Sequence, residues 1–117
     1  MNLNVPKNIS PQELNIWLLN DLPNIALIDV REDDELSIAP FPSQVIHLPL
    51  TKISSWGKTL SQELSKYDSV VVICHMGVRS WKFGLWLLEQ PHDFEVFNLN
   101  GGIEAWSLEI DKTVPRY

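Results

Sequence analysis

The stretch "DSVVVICHMGVRSWKFGLWLLEQ", residues 68–90, decides how this chain folds. Its first half, "DSVVVIC", is a short β-branched run that opens on polar residues, and it reads as a buried strand. Its second half, "RSWKFGLWLLEQ", reads as a helix that is apolar almost all round and therefore largely buried. Between them lies a tight turn containing Gly77. The only cysteine of the chain, Cys74, ends the strand and faces that turn.

Working outward, the same alternation of strand and helix recurs. On the N-terminal side, "ISPQELNIWLLND" predicts a helix with Ser10 as N-cap, Pro11 as its first residue and Glu13 completing a capping box. Leu14, Trp17 and Leu18 share one face of it. "NIALIDV", residues 24–30, predicts a buried strand, "REDDEL" a helical turn, "APFPS" a loop and "VIHLPL" a further short strand. "SSWGKTLSQELSKY" reads as partly helical, interrupted by Gly57, and "LNV", residues 3–5, as a short edge strand. On the C-terminal side, "FEVFNL" predicts a strand, and "GGIEAWSLEI" a last helix after a double-glycine turn. Strands alternating with helices indicate an α/β fold built on a mainly parallel sheet. In such sheets, chemistry gathers beyond the carboxyl ends of the strands. Three ends qualify here: Asp29-Val30-Arg31, Cys74 with its turn, and Asn100-Gly101-Gly102.

Composition narrows the functional classes. At 117 residues, the chain is expected to form a single domain, residues 1–117. One cysteine permits no internal disulfide, which fits a reducing compartment. The start "MNLNVPKNIS" lacks the basic segment and apolar core of a signal peptide, and the longest apolar runs are too short to cross a bilayer. A cytoplasmic protein that binds neither membrane nor nucleic acid is expected, the latter because the net charge is −6.

The turn after Cys74 has the parts that activate a thiol. A thiolate is the reactive form, and a helix N-terminus or a neighbouring cation favours it. Arg79 sits at the start of the predicted helix, whose first amides lack partners within it. A short curl of backbone between Cys74 and Arg79 directs amides inward as an anion-binding nest, and Gly77 permits the positive φ angles that a curl needs. Ser80 is placed to cap the helix or to donate to sulfur.

With "LIDVRE", "CHMGVRS" and "NLNGGIEAW" in this order and spacing, and "ISPQEL" before them, the chain resembles the rhodanese family of sulfurtransferases along nearly its whole length. The resemblance implies a three-layer α/β sandwich, a five-stranded parallel sheet with helices on both faces. It implies that Cys74 is the catalytic nucleophile, which takes a sulfane sulfur from thiosulfate or another persulfide donor. The sulfur is held as a persulfide and passed to a thiol, cyanide or a protein acceptor. On the same ground the loop residues His75, Met76, Gly77, Val78, Arg79 and Ser80 bind the substrate sulfur. No cofactor or metal is implied, and the three histidines with Cys74 lack metal-ligand spacing. Cysteine phosphatases that share this fold use a longer loop; the four residues here, His75 to Val78, suit one sulfur better than a phosphoryl group. Two segments depart from the family pattern. "IAPFPSQ" stands where a glycine-histidine turn is usual, and the loop has no basic residue before Arg79 apart from His75. A thiol persulfide or protein donor is therefore an alternative to thiosulfate. A catalytically weak module that binds a partner or carries sulfur is the alternative of another class.

Other residues have simpler readings. Asp29 and Arg31 are expected to support the site as a salt bridge or cap bracing neighbouring loops. His75 reads as a solvent-facing loop residue or as a group that tunes the persulfide, and "REDDE" as a solvated charge run. Trp17, Trp81, Trp86 and Trp106 are expected in the core, and Trp56 in the core or the pocket wall.

Overall fold

A computed structural model of the chain describes residues 4–20 and 24–117. Five strands, β1 (Lys7–Ile9), β2 (Ile25–Asp29), β3 (Ile46–His47), β4 (Ser69–Ile73) and β5 (Glu95–Leu99), form one sheet in the order β1-β5-β4-β2-β3. Every pairing is parallel. The helices are α1 (Pro11–Leu19), α2 (Asp33–Ile38), α3 (Ile53–Trp56), α4 (Leu60–Leu64), α5 (Val78–Glu89) and α6 (Gly102–Glu109), with a 3₁₀ turn at Leu50–Lys52. This is the expected α/β architecture, including the five parallel strands.

The central strands form because both of their faces are covered, so they need apolar residues at every position. Alternation along them sorts the core into two layers. Ala26, Ile28, Val30, Val70, Val72, Cys74 and Val96 pack with Leu60 and Leu64 of α4 and with Phe83, Leu87 and Leu88 of α5. Leu27, Val71, Ile73 and Leu99 point the other way, onto Leu14 of α1 and Ile103 and Trp106 of α6. Cys74 therefore faces the α5 side, where Val72 and its sheet neighbour Asn98 also stand.

The chain moves outward from β2 to β3 but in the opposite direction from β4 to β5. The carboxyl ends of β2 and β4 flank the point where the connections diverge, the usual place for a site in an open parallel sheet.

Several local expectations hold. Ser10 Oγ accepts from Glu13 N at 3.1 Å and caps α1, with the reciprocal half of the box present. Others are corrected. The edge strand is Lys7–Ile9, not "LNV": Asn4 and Val5 pair with nothing in the sheet, and Leu3 lies outside the described residues, as does Asp21. The α5 helix buries one face, Ser80, Phe83, Gly84, Leu87 and Leu88, and leaves Val78, Lys82 and Glu89 exposed. Its N-cap is Gly77, at φ 95°, so Ser80 lies inside the helix and does not cap it. Trp106 is core, Trp17 packs half-buried against its layer and Trp56 and Trp86 against the other layer, but Trp81 joins neither. Among the described residues, no helix is long and apolar enough to cross a membrane.

Candidate active site

Cys74 follows the last residue of β4 and is 1% exposed. Its Sγ lies 3.1 Å from the Gly77 amide, which donates to it, and 3.1 Å from Ser80 Oγ. The chain turns back on itself within three residues, and the left-handed conformation of Gly77 makes that possible.

The loop is held from outside by the double-glycine turn. Ile103 N donates to Cys74 O at 2.9 Å, and Glu104 N donates to His75 O at 3.0 Å. These are unpaired amides at the start of α6, satisfied by loop carbonyls instead of by solvent. Because a trans peptide sets its N–H opposite its C=O, fixing those carbonyls turns the amides of His75 and Met76 away from α6. The approach is close enough to require glycine. A Cβ on Gly102, at φ 62°, would stand 2.4 Å from His75 O. One on Gly77 would meet Gly101 N at 3.1 Å. The glycine pair and the Cys74 loop are thus packed against each other.

Ser80 Oγ donates to Asn98 Oδ1. Asn98 is 3% exposed, and its Nδ2 donates to Gly77 O and to Asn8 Oδ1, both at 3.2 Å. Asn98 thus braces both the turn and the serine beside the sulfur. A polar residue on the inner face of the apolar strand "EVFNL" was its only signal in the sequence.

The arginine of the loop does not stand free. Arg79 donates two hydrogen bonds to Glu35 of α2, at 2.7 and 2.8 Å. Those bonds from Arg79 hold the Glu35 carboxyl at about 2, against burial, which alone would raise it. The same bonds push the Arg79 guanidinium further up, again against burial. "REDDE" is therefore not simply a solvated run. Arg31 is fully buried, and Glu35 reaches across to the loop.

Asp29 and Arg31 form a buried ion pair, with Arg31 Nη2 at 2.8 Å from Asp29 Oδ2 and Nε at 3.0 Å from Oδ1. Arg31 also donates to Ala39 O at 2.9 Å and to Tyr117 Oη at 3.0 Å. Burial pulls the Arg31 guanidinium down, but the bonds to Asp29 and Tyr117 outweigh it and leave it raised. The pair braces β2 and the loop after it, as its position at a strand end suggested. Tyr117 Oη donates in turn to Glu35 Oε2 at 2.8 Å, so one chain of bonds joins Arg31, Tyr117, Glu35 and Arg79. Burial is the main cause of the raised Tyr117 hydroxyl.

His75 is not a solvent-facing residue. Its ring stacks on Tyr117, centroids 3.9 Å apart and planes 10° apart. Its Nε2 is buried without a hydrogen-bond partner among the described residues, 3.9 Å from Glu104 Oε2. Met76 and Val78, 60% and 61% exposed, form the outer surface of the loop. A cavity of about 460 Å³ is lined by residues such as Lys58, Gln62, His92 and Asp93, away from the Cys74 loop.

The fold and this loop can be set beside known proteins. The profile of the rhodanese-like domain matches residues 10–109. A rhodanese-like/PpiC domain-containing protein 12, chloroplastic, of Arabidopsis thaliana is 33% identical over 113 residues, which are 95% of this chain and 37% of that protein. A sulfurtransferase of Allochromatium vinosum is 32% identical over 89 residues, 76% of this chain and 78% of its own length. The single-domain sulfurtransferase RDL2 of Saccharomyces cerevisiae has the same fold, with a TM-score of 0.72, 19% identity, and coverage of 97% of this chain and 98% of that one. The chain spans little more than a third of the Arabidopsis protein, so that protein's other functions do not transfer. With its profile matched across most of the chain and sulfurtransferases among its relatives, this protein belongs to the rhodanese-like domain family.

Proposed function

We propose that this protein is a sulfurtransferase that carries a sulfane sulfur on Cys74. The observation that supports this best is the position of Sγ, at the end of a central strand, 3.1 Å from the Gly77 amide and inside a loop of four residues before Arg79. In the first step, the Cys74 thiolate attacks the outer sulfur of the donor. The donor's S–S bond breaks, and sulfite leaves from thiosulfate, or a thiolate from a persulfide. The bond formed is Cys74 Sγ–S, and the terminal sulfur bears the negative charge. In the second step, an acceptor thiolate or cyanide attacks that terminal sulfur and Cys74 leaves as thiolate. Both steps require negative sulfur to be met by fixed donors. The Gly77 amide supplies one, and the amides from His75 to Ser80 are assigned to the outer sulfur. Asp29 and Arg31 support the loop at one remove.

The donor we favour is a thiol persulfide. Thiosulfate is a dianion and gains from an unpaired cation at the mouth, whereas Arg79 is already paired with Glu35. Met76 and Val78, exposed and apolar, suit the organic part of a thiol or the surface of a protein acceptor. The same exposed residues favour the second reading, a sulfur carrier that docks on a partner. The chemistry requires a reducing compartment and not the cytoplasm in particular, since a relative is named chloroplastic.

The test is an intact-mass spectrum after exposure to glutathione persulfide or thiosulfate, beside a Cys74→Ser variant. One added sulfur on the wild type only, removed by cyanide, is expected. No adduct from either donor would refute the persulfide chemistry. Loading faster with thiosulfate than with the persulfide would overturn the choice of donor.

A further inference from the structure

The hydrogen bonds around Ser80 can be assigned from the elements alone. Gly77 O is a carbonyl and can only accept, so the Asn98 group facing it at 3.2 Å is the amide nitrogen. The other end of Asn98, Oδ1, then faces Ser80, and Oδ1 also can only accept. A serine hydroxyl has one hydrogen. That hydrogen is committed to Asn98, so Ser80 presents lone pairs to Sγ at 3.1 Å and accepts from the thiol. The sequence suggested the reverse, a serine donating to sulfur.

We propose that Asn98 is a positioning residue that acts through Ser80: by holding the serine hydrogen it withholds a donor from Cys74 and damps the reactivity of the resting cysteine. The Gly77 amide is then the donor that meets negative charge on sulfur, and the Ser80 hydroxyl adds to it only when it breaks with Asn98. Asn98 is well placed for this. It is buried on the same sheet face as Cys74, and its nitrogen is anchored at two points, Gly77 O and Asn8 Oδ1, so its oxygen cannot turn away. The catalytic consequence rests on the persulfide reading, but the reactivity of Cys74 can be measured without any sulfur transfer.

The experiment is the rate of alkylation of Cys74 by iodoacetamide at pH 7 in the wild type, Asn98→Ala, Ser80→Ala and the double variant. A hydrogen bond to a charged group is worth roughly tenfold in an equilibrium. Asn98→Ala frees the serine to donate and is expected to raise the rate about three- to fourfold, because the tenfold gain in thiolate is partly offset by the lower nucleophilicity of a less basic sulfur. Ser80→Ala removes no donor and is expected to react at least as fast as wild type. In the Ser80→Ala background, adding Asn98→Ala is expected to bring no gain in rate, since all it then removes is the brace on Gly77 O. A general loosening around Cys74 would raise the rate in both backgrounds, which would overturn the proposal. So would an unchanged or lower rate in Asn98→Ala. Should Asn98→Ala not fold, Ser80→Ala decides alone: a rate about three- to fourfold slower would mean that the serine does donate to sulfur. The persulfide reading can fail in its own mass experiment while these rates still stand.

Discussion

Replacing Glu35 by glutamine removes a charge from one of the few ion pairs that reach the Cys74 loop. The Glu35 carboxyl is held at about 2 in the folded protein, against an ordinary value of 4.5 in the unfolded chain. A group lowered on folding stabilises the fold above its unfolded value, and that contribution is lost as pH falls toward its folded value. Taken in full, the difference corresponds to about 3 kcal/mol. Arg79 is 37% exposed at its side chain, so screening by water reduces this to about 1–2 kcal/mol. Urea unfolding of wild type and Glu35→Gln at pH 7 should therefore differ by about 1–2 kcal/mol. At pH 3 the unfolded carboxyl is almost wholly protonated and the folded one is not, so the difference should shrink to less than half. A difference that stays the same at both pH values would refute the reasoning, because it would arise from lost packing and not from the charge. The variant also frees the guanidinium, so its loading by thiosulfate should rise severalfold relative to its loading by a thiol persulfide.

Two further substitutions probe the frame of the site. Gly102→Ala places a Cβ at a positive φ, 2.4 Å from His75 O, so the loop must shift. Strain of about 1–3 kcal/mol is expected from the backbone alone, together with at least tenfold slower persulfide loading, read by urea midpoint and by mass. Arg31→Ala leaves Asp29 buried without its partner and should cost about 3–5 kcal/mol by denaturant unfolding, far more than an exposed pair such as Lys7–Glu95.

The parts of this protein that were legible in its sequence are those whose information is local. Residues 25–29 and 69–73 read as strands because both faces of a central strand are buried and the run of apolar residues is uninterrupted. The Cys74 loop was legible because cysteine, glycine and arginine sit within a few positions of each other. The β1 strand was not legible, since only Ile9 of it is buried and its extended form comes from pairing with β5. The partners of the loop were hidden for the same reason. Glu35 is 44 residues from Arg79 in sequence, and Tyr117 is 82 from Glu35. Nothing in an acidic run or a terminal tyrosine announces which residue the fold will bring to the loop. Asn98 went unnoticed too, although strand alternation puts it on the inner face, where a buried amide needs partners.

These contacts bear on where the positive charge for sulfur comes from. An arginine close to a reactive cysteine suggests at first that the cation stabilises the thiolate. In this protein the guanidinium is aligned on Glu35 by two hydrogen bonds, and Arg31, the buried arginine of the region, is aligned on Asp29. Both pairs are close to neutral toward a group outside them. The donor that reaches sulfur is a backbone amide, Gly77 N at 3.1 Å, at the start of the twelve-residue α5. Amides are dipoles, and their influence falls off faster with distance than that of a charge. A site built from them stabilises one sulfur well and gives little attraction to a distant second charge. On the proposed function, this is the physical argument for a donor that carries a single negative sulfur rather than one with a sulfonate beside it.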